Sequence, residues 1–134
     1  MVIIKPLTKN GKQNGHEKAV TKKQGFASYS ACLDIGTERA PDFVDITDKV
    51  HDFVKMTQVQ NGLVVVFSQH TTAAIRVNEN EPLLVEDMKR RLEAFAPRDA
   101  YYKHNDFTIR TVNMEKDEPP NGHAHCQNLL LGVS

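Results

Sequence analysis

The sequence contains no tryptophan and only two cysteines, and its charges balance, with 17 Lys and Arg against 17 Asp and Glu. Because the net charge is zero, the protein as a whole does not attract polyanions. Neither nucleic acid nor a membrane surface is therefore expected as a partner. The cysteines, Cys32 and Cys126, are far apart and lack metal-ligand spacing. No signal peptide is visible and no apolar run is long enough to span a bilayer. The simplest interpretation is a cytoplasmic protein with reduced thiols.

Several nucleotide-binding and hydrolase motifs are also absent. There is no glycine-rich phosphate loop, no dinucleotide-binding fingerprint and no nucleophile elbow. A chain of 134 residues with 40% hydrophobic and 25% charged residues is typical of one globular domain, 1–134. Residues 9–23 are polar and have no apolar periodicity. They are predicted to belong to a partly flexible N-terminal arm, 1–24, or to an insertion loop.

The stretch 62–81 organises the rest of the chain. An apolar run at 63–67 follows an Asn61-Gly62 turn signal and predicts a buried strand. Five polar residues follow it, then a second predicted strand at 73–77, and then a second polar group at 78–81. Two adjacent strands that end in these polar groups would place them close together at the edge of the sheet. This pattern predicts a functional site there.

The remaining patterns indicate a mixture of helices and strands. Alternation predicts strands within 26–35 and 107–112, and residues 2–4 could form a short strand. Apolar spacing predicts one helix capped by Thr47 and a second from Glu81-Pro82 to before Pro97. Residues 123–131 are ambiguous, with Gly132 suited to a helix C-terminus. The fold class predicted is α+β, a mostly antiparallel sheet with two to three helices.

Three histidines, His70, His104 and His125, stand at the ends of predicted elements. Neutral imidazoles are good zinc ligands, and three of them leave a fourth position open. The spacing is dispersed, however, and three separate hydrogen-bonded histidines are the alternative. His123 and His125 would share a face in a strand but diverge by roughly 200° in a helix, where only one of them could join the site.

Taken together, the ordered motifs resemble the YjbQ family, also called UPF0047. The resemblance covers roughly residues 26–134. It is carried by His70-Thr71-Thr72-Ala73-Ala74, Asn78-Glu79-Asn80, Tyr102-Lys103-His104-Asn105, Asn121-Gly122-His123-Ala124-His125 and Leu129-Leu130-Leu131-Gly132. It implies a homotrimer with sites near subunit contacts. It also implies family C-terminal strands beyond Ser134, so the chain is expected to lack part of the family domain.

The resemblance supports His70, His104 and His125 as ligands of a divalent metal, zinc by its ligand chemistry, with Mg²⁺ the alternative for a phosphorylated substrate. It also suggests further site residues. Glu79, Asn78 and Asp87 are catalytic candidates, and Thr71, Thr72 and His123 are substrate-binding candidates. Each has an ordinary structural alternative, such as a surface carboxylate, a turn amide or a packed β-branched side chain.

The function implied is a metal-dependent enzyme acting on a small molecule. The resemblance points to secondary thiamine-phosphate synthase activity on phosphorylated precursors. A non-enzymatic metal or small-ligand binding module is the alternative, distinguished by a closed coordination sphere. A cupin-like β-barrel is a third interpretation, but the two helical segments argue against it.

Overall fold

The computed structural model describes residues 17–23 and 26–132. Its elements follow in the order β1 (Glu17–Lys23), β2 (Phe26–Ala31), α1 (Thr47–Thr57), α2 (Pro82–Phe95), a 3₁₀ turn (Lys103–Asn105) and α3 (Gly122–Asn128). The strand predicted at residues 2–4 lies outside the described residues. No helix within the described ranges is long and apolar enough to cross a membrane.

The two strands form an antiparallel hairpin, with Lys23 opposite Phe26 and Val20 opposite Tyr29. The register is irregular between Glu17 and Val20. Within the arm or loop predicted at 9–23, residues 17–23 pair as a strand despite their polar composition, and residues 9–16 lie outside the described residues. Backbone hydrogen bonding to a neighbouring strand does not require apolar side chains. The alternating pattern of 26–35 is strand only as far as Ala31.

The strands predicted at 63–67 and 73–77 are a second correction. Neither stretch forms a continuous strand. The side chains of Leu63, Val65 and Phe67 are 88%, 74% and 62% exposed, so the apolar run is not buried. A strand requires a partner for its N–H and C=O groups, and the described part of the chain offers this run none.

Residues 107–112 also form a turn and loop instead of the predicted strand. Asp106 explains the difference, because its Oδ1 accepts hydrogen bonds from the Thr108 amide at 3.1 Å and the Thr108 hydroxyl at 2.6 Å. Such local bonding competes with a sheet ladder. Helices and strands are both present, but the mostly antiparallel sheet is not seen in 17–23 and 26–132, where the hairpin is the only sheet.

Both predicted helices are confirmed, but Thr47 is the first helical residue of α1 and not its cap, which is Ile46 with no side-chain cap hydrogen bond. The first begins at Thr47, whose amide donates to Asp45 Oδ1 at 2.8 Å. In α2 the Glu81 carboxylate accepts from the amides of Leu83 and Leu84, at 2.9 and 2.7 Å, and Pro82 occupies the first helical position. The helix ends at Phe95, two residues before Pro97.

The small core lies against α2. Phe43 and Leu92 are buried together, and Val85, Met88 and Leu131 pack against them. The third helix is tied to the end of α2 by Gln127, whose Nε2 donates to the Ala96 carbonyl at 3.0 Å. That bond satisfies a carbonyl at a helix terminus and fixes where α3 lies.

Candidate functional site

The 3₁₀ turn and the start of α3 are held together by Asn105. Its Oδ1 accepts hydrogen bonds from the amides of Asn121 at 3.1 Å and Gly122 at 2.8 Å. Gly122 is buried against Tyr102, and a Cβ there would lie 2.7 Å from the Tyr102 Cβ. This close approach brings the histidine of the turn next to a histidine of the helix.

His104 and His125 are in contact. Their ring centroids are 4.7 Å apart and their planes meet at 70°, an edge-on arrangement. Burial lowers the pKa of His125 below its ordinary value of 6.5, and the nearby charge of His104 lowers it further, against an opposing effect of Glu118. His125 is therefore neutral at pH 7, which is the form that ligates metals.

A carboxylate lies beside this pair. Glu118 Oε1 is 3.6 Å from His104 Nε2 and accepts a hydrogen bond from Arg110 Nη1 at 2.9 Å. The hydrogen bond from Arg110 holds the pKa of Glu118 below its ordinary value of 4.5, so this carboxylate is ionised at neutral pH. The Glu118 and Arg110 side chains are only 13% and 12% exposed.

His70 lies near enough for its charge to contribute to lowering the pKa of His125. Its turn is attached to α3 by Asn128, whose Nδ2 donates to the Thr71 carbonyl at 2.9 Å. His70 Nδ1 accepts from the Thr72 amide at 3.2 Å and lies 2.9 Å from the Thr72 hydroxyl. The predicted residues Thr71 and Thr72 therefore hold the His70 turn in place.

His123 points away from the pair. Residues 122–128 are helical, so the ambiguous segment is resolved and the side chains of His123 and His125 diverge. His123 is 4% exposed, its ring centroid is 6.5 Å from that of Tyr102, and neither ring nitrogen has a hydrogen-bond partner among the described residues. The helix therefore places His125 against His104, and it places His123 on the other side, near Tyr102.

The three catalytic candidates make other contacts. Asn78 Nδ2 lies 3.2 Å from Met88 Sδ, and the Glu79 amide donates to Asn78 Oδ1 at 2.9 Å. Asp87 is exposed and accepts from Arg90 Nη2 at 2.7 Å. Within the described ranges no hydrogen bond or ion pair joins Glu79 or Asp87 to the histidine pair.

A cavity of about 470 Å³ opens beside His104. Lys103 supplies a cation to its wall, and Ile109 and Val112 supply apolar surface. Arg110 also lines it, but the guanidinium is occupied by Glu118 and by three backbone carbonyls, those of His104, Val112 and Asn113. Lys103 is therefore the cation that a solute in the cavity would meet.

Among residues 17–23 and 26–132, no group of three or more His, Cys, Asp or Glu side chains is arranged to hold one metal ion. The structure brings His104 and His125 into contact and leaves His70 close by but bonded to Thr72. Sequence reasoning missed Glu118 and Arg110. They lie eight residues apart across a loop, a spacing with no motif, so no signal in the sequence could have selected them.

The family model described as "UPF0047 protein YjbQ-like" matches residues 31–134. This chain belongs to the YjbQ-like UPF0047 family. The family predicted from the motifs is thus confirmed.

Curated relatives in this UPF0047 family support the same assignment. A UPF0047 protein of Methanothermobacter thermautotrophicus is 35% identical over 106 residues, which is 79% of this chain and 66% of the relative. UPF0047 protein YugU of Bacillus subtilis is 36% identical over 103 residues, 76% of this chain and 69% of the relative. UPF0047 protein YjbQ of Salmonella typhimurium is 30% identical over 100 residues, 73% and 65% respectively. The chain spans about two thirds of the length of these relatives. No solved structure matches it.

Proposed function

We propose that this UPF0047 chain binds a divalent metal ion, zinc by its ligand chemistry, through His104 and His125, and acts on a small phosphorylated molecule. The observation that carries the proposal is the contact between the two imidazoles, with ring centroids 4.7 Å apart. Neutral imidazole nitrogens are ligands that zinc prefers. Burial keeps His125 in that neutral form at pH 7.

The donor set fits zinc in part. Two imidazoles are adjacent, and the predicted third ligand is His70. In this structure His70 Nδ1 accepts a hydrogen bond from the Thr72 amide, so the neutral ring carries its proton on Nε2. To join the site, His70 has to release the Thr72 amide, either to ligate through Nδ1 or to move its proton there and ligate through Nε2. A bound zinc ion would act as a Lewis acid toward a phosphate or carbonyl oxygen.

The cavity beside His104 supports a small substrate. It is open to solvent with a volume of about 470 Å³, and Lys103 gives it a positive charge suited to phosphate. The resemblance to YjbQ suggests secondary thiamine-phosphate synthase activity, which joins a pyrimidine pyrophosphate to a thiazole phosphate and releases pyrophosphate. Because Mg²⁺ prefers oxygen ligands, the histidine pair suits zinc better than magnesium.

A non-enzymatic metal or small-ligand binding module is the second candidate. It is favoured by the positions of Glu79 and Asp87, which make no hydrogen bond or ion pair with the histidine pair among the described residues. Glu79 and Asp87 are the predicted catalytic groups, and metal binding alone does not need them at the histidine pair.

The resemblance to YjbQ also leads us to propose a homotrimer. The exposed side chains of Leu63, Val65 and Phe67 support it, since contiguous exposed apolar surface is typical of a protein–protein interface.

Elemental analysis of the purified protein tests the metal proposal. Zinc is expected in the wild type and is expected to be lost from His104→Ala and His125→Ala. His51→Ala is the matched control, because His51 is exposed on α1 and should retain wild-type zinc. Zinc content unchanged in both site variants would contradict the proposal.

Incubation of the zinc-loaded protein with the two phosphorylated thiamine precursors separates the two candidates. Formation of thiamine phosphate by the wild type, and not by His104→Ala, supports the enzyme. Stable zinc binding without any turnover of these precursors argues against synthase activity and favours the binding module.

A further inference from the structure

We infer that the Asn61-Gly62 pair is a chemical modification site, where the side-chain amide of Asn61 is converted to a carboxylate without an enzyme. The residues that the structure describes contain two Asn-Gly pairs, Asn61-Gly62 and Asn121-Gly122. The two pairs are identical in sequence, so the motif alone predicts equal reactivity. Their surroundings differ in hydrogen bonding and in exposure, and only the first pair is free to react.

The reaction is a ring closure followed by hydrolysis. The backbone nitrogen of Gly62 loses its proton to a solvent base and attacks Cγ of Asn61. The bond from Cγ to Nδ2 then breaks, and ammonia leaves with a proton taken from water. Water opens the resulting cyclic imide at either carbonyl, which gives aspartate or isoaspartate. In sum, the amide and water become a carboxylate and an ammonium ion, so no oxidant or reductant is needed.

The first pair is open to this reaction. Asn61 and Gly62 are both exposed in the bend that follows α1. Within the described residues, neither the Gly62 N–H nor the Asn61 side chain makes a hydrogen bond. Glycine has no Cβ, so nothing on the attacking residue blocks its approach to Cγ and its backbone rotates freely. Exposed backbone without hydrogen bonds also changes conformation at a small cost in free energy.

The second pair is held at the start of α3. Gly122 is buried, and its amide donates to Asn105 Oδ1 at 2.8 Å. The Asn121 carbonyl accepts from the amides of Ala124 and His125, at 2.9 and 3.2 Å. Ring closure would break these bonds, and the lone pair of Asn105 Oδ1 opposes loss of the Gly122 proton, because it would face a negative charge. Asn121 is therefore protected as long as the start of α3 stays folded.

The modification changes the surface that follows α1. It places a carboxylate two residues before Leu63, which is 88% exposed and begins the apolar run at 63–67. The formal net charge, which is zero for the unmodified chain, becomes negative. In the isoaspartate product the main chain also runs through the former side chain and is longer by one methylene group. Because the reaction is irreversible, the modified fraction grows with the age of the protein.

Peptide mass spectrometry tests the inference on the folded wild type. The protein is incubated at mildly alkaline pH in heavy-oxygen water and then digested with trypsin in ordinary water, so that only conversion during the incubation carries the heavy oxygen. The tryptic peptide 56–76 contains Asn61 as its single asparagine. This peptide is expected to gain a heavy-oxygen carboxylate, whereas Asn121 in peptide 117–134 is expected to keep its amide.

The same incubation in guanidinium chloride gives the reference for the unfolded chain. Both Asn61 and Asn121 are expected to be converted there, which would show that the fold alone protects Asn121. An Asn61 that keeps its amide in the folded protein, at times when it is converted in the unfolded chain, would overturn the inference. Equal conversion of Asn61 and Asn121 in the folded protein would also overturn it.

A pair of alanine variants tests the ring closure. Gly62→Ala adds a methyl group beside the attacking nitrogen, 3.3 Å from Val59 Cγ1. It is expected to slow conversion of Asn61 by about tenfold, equivalent to about 1.36 kcal/mol in the barrier. Gly36→Ala is the matched control, since its methyl group meets no heavy atom of the described residues within 4 Å, and it should leave the rate at Asn61 unchanged. Conversion of Gly62→Ala at the wild-type rate would contradict attack by the Gly62 nitrogen. If Gly62→Ala does not fold, the comparison of folded and unfolded wild type still decides the inference.

Discussion

At the scale of single residues, Gly122 sets the distance between α3 and the 3₁₀ turn. A Cβ at this position would lie 2.7 Å from the Tyr102 Cβ and 3.0 Å from Asn105 Oδ1. Asn105 Oδ1 is the atom that accepts from the amides of Asn121 and Gly122. Any side chain here therefore separates the two segments that carry His104 and His125.

The Gly122→Ala variant is expected to lower the free energy of unfolding by about 1–3 kcal/mol, because overpacking forces the helix away from Tyr102. Denaturant unfolding measures the change. Gly36→Ala is the matched control, since no heavy atom of the described residues lies within 4 Å of the added Cβ, and it is expected to change stability by less than about 0.5 kcal/mol. Equal stability of Gly122→Ala and the wild type would show that this contact is not close.

At the scale of elements, Asp45 connects α1 to the segment that precedes α2. Its Oδ1 accepts from the Thr47 amide and its Oδ2 accepts from Asn80 Nδ2, both at 2.8 Å. One carboxylate thus accepts from the first amide of α1 and from a side chain 35 positions away in the chain.

Asp45 predicts a specific pH dependence. Hydrogen bonds from the hydroxyl and then the amide of Thr47 lower its pKa below the ordinary 3.8. A carboxylate whose pKa is lower in the folded state stabilises the fold above the unfolded pKa. That stabilisation is lost as the pH falls from about 3.8 through the lower folded pKa.

Carbon-13 NMR titration of the Asp45 carboxyl checks this prediction, with a midpoint expected below 3.8. Thr47→Val removes the hydroxyl and should move the midpoint up toward 3.8. Thr57→Val makes the same substitution at the other end of α1 and should leave the Asp45 midpoint at its wild-type value. A midpoint above 3.8 in the wild type would refute the assigned hydrogen bonds.

At the scale of the whole molecule, the main feature is apolar surface at residues 63–67. Four of its side chains, those of Leu63, Val64, Val65 and Phe67, are more than half exposed. Exposed apolar side chains in one stretch favour association in water, because burying them removes apolar area from solvent. The proposed homotrimer would cover them.

Light scattering after size-exclusion chromatography tests the trimer. The wild type is expected to elute with three times the mass of the chain, and Leu63→Lys is expected to shift it toward the monomer, since a charge buried at an interface is costly. Leu83→Lys is the control: Leu83 is similarly exposed but lies on α2, so the trimer should persist. A wild type that is monomeric at every concentration would rule out the homotrimer.

The sequence by itself determined the parts of this protein that depend on neighbours in the chain. Glu81, Pro82 and Pro97 mark the ends of α2, because capping and proline geometry act within one helical turn. The ordered motifs also identified the UPF0047 family correctly. His104 contacts His125, whereas His70 is bonded to Thr72, and the three-histidine site stays a prediction.

Only the tertiary structure decided the rest. His123 and His125 are two residues apart, a spacing that fits one face of a strand or two faces of a helix, and α3 placed only His125 beside His104. The loop carrying Glu118 had no pattern, yet Arg110 and that loop folded the carboxylate against His104. The apolar run at 63–67 resembles a strand, but strand pairing needs a partner from elsewhere in space. Helix ends are set by signals within a few residues of sequence. Strand pairing and side-chain clusters depend on contacts between residues that are distant in the chain, so no short stretch of sequence predicts them.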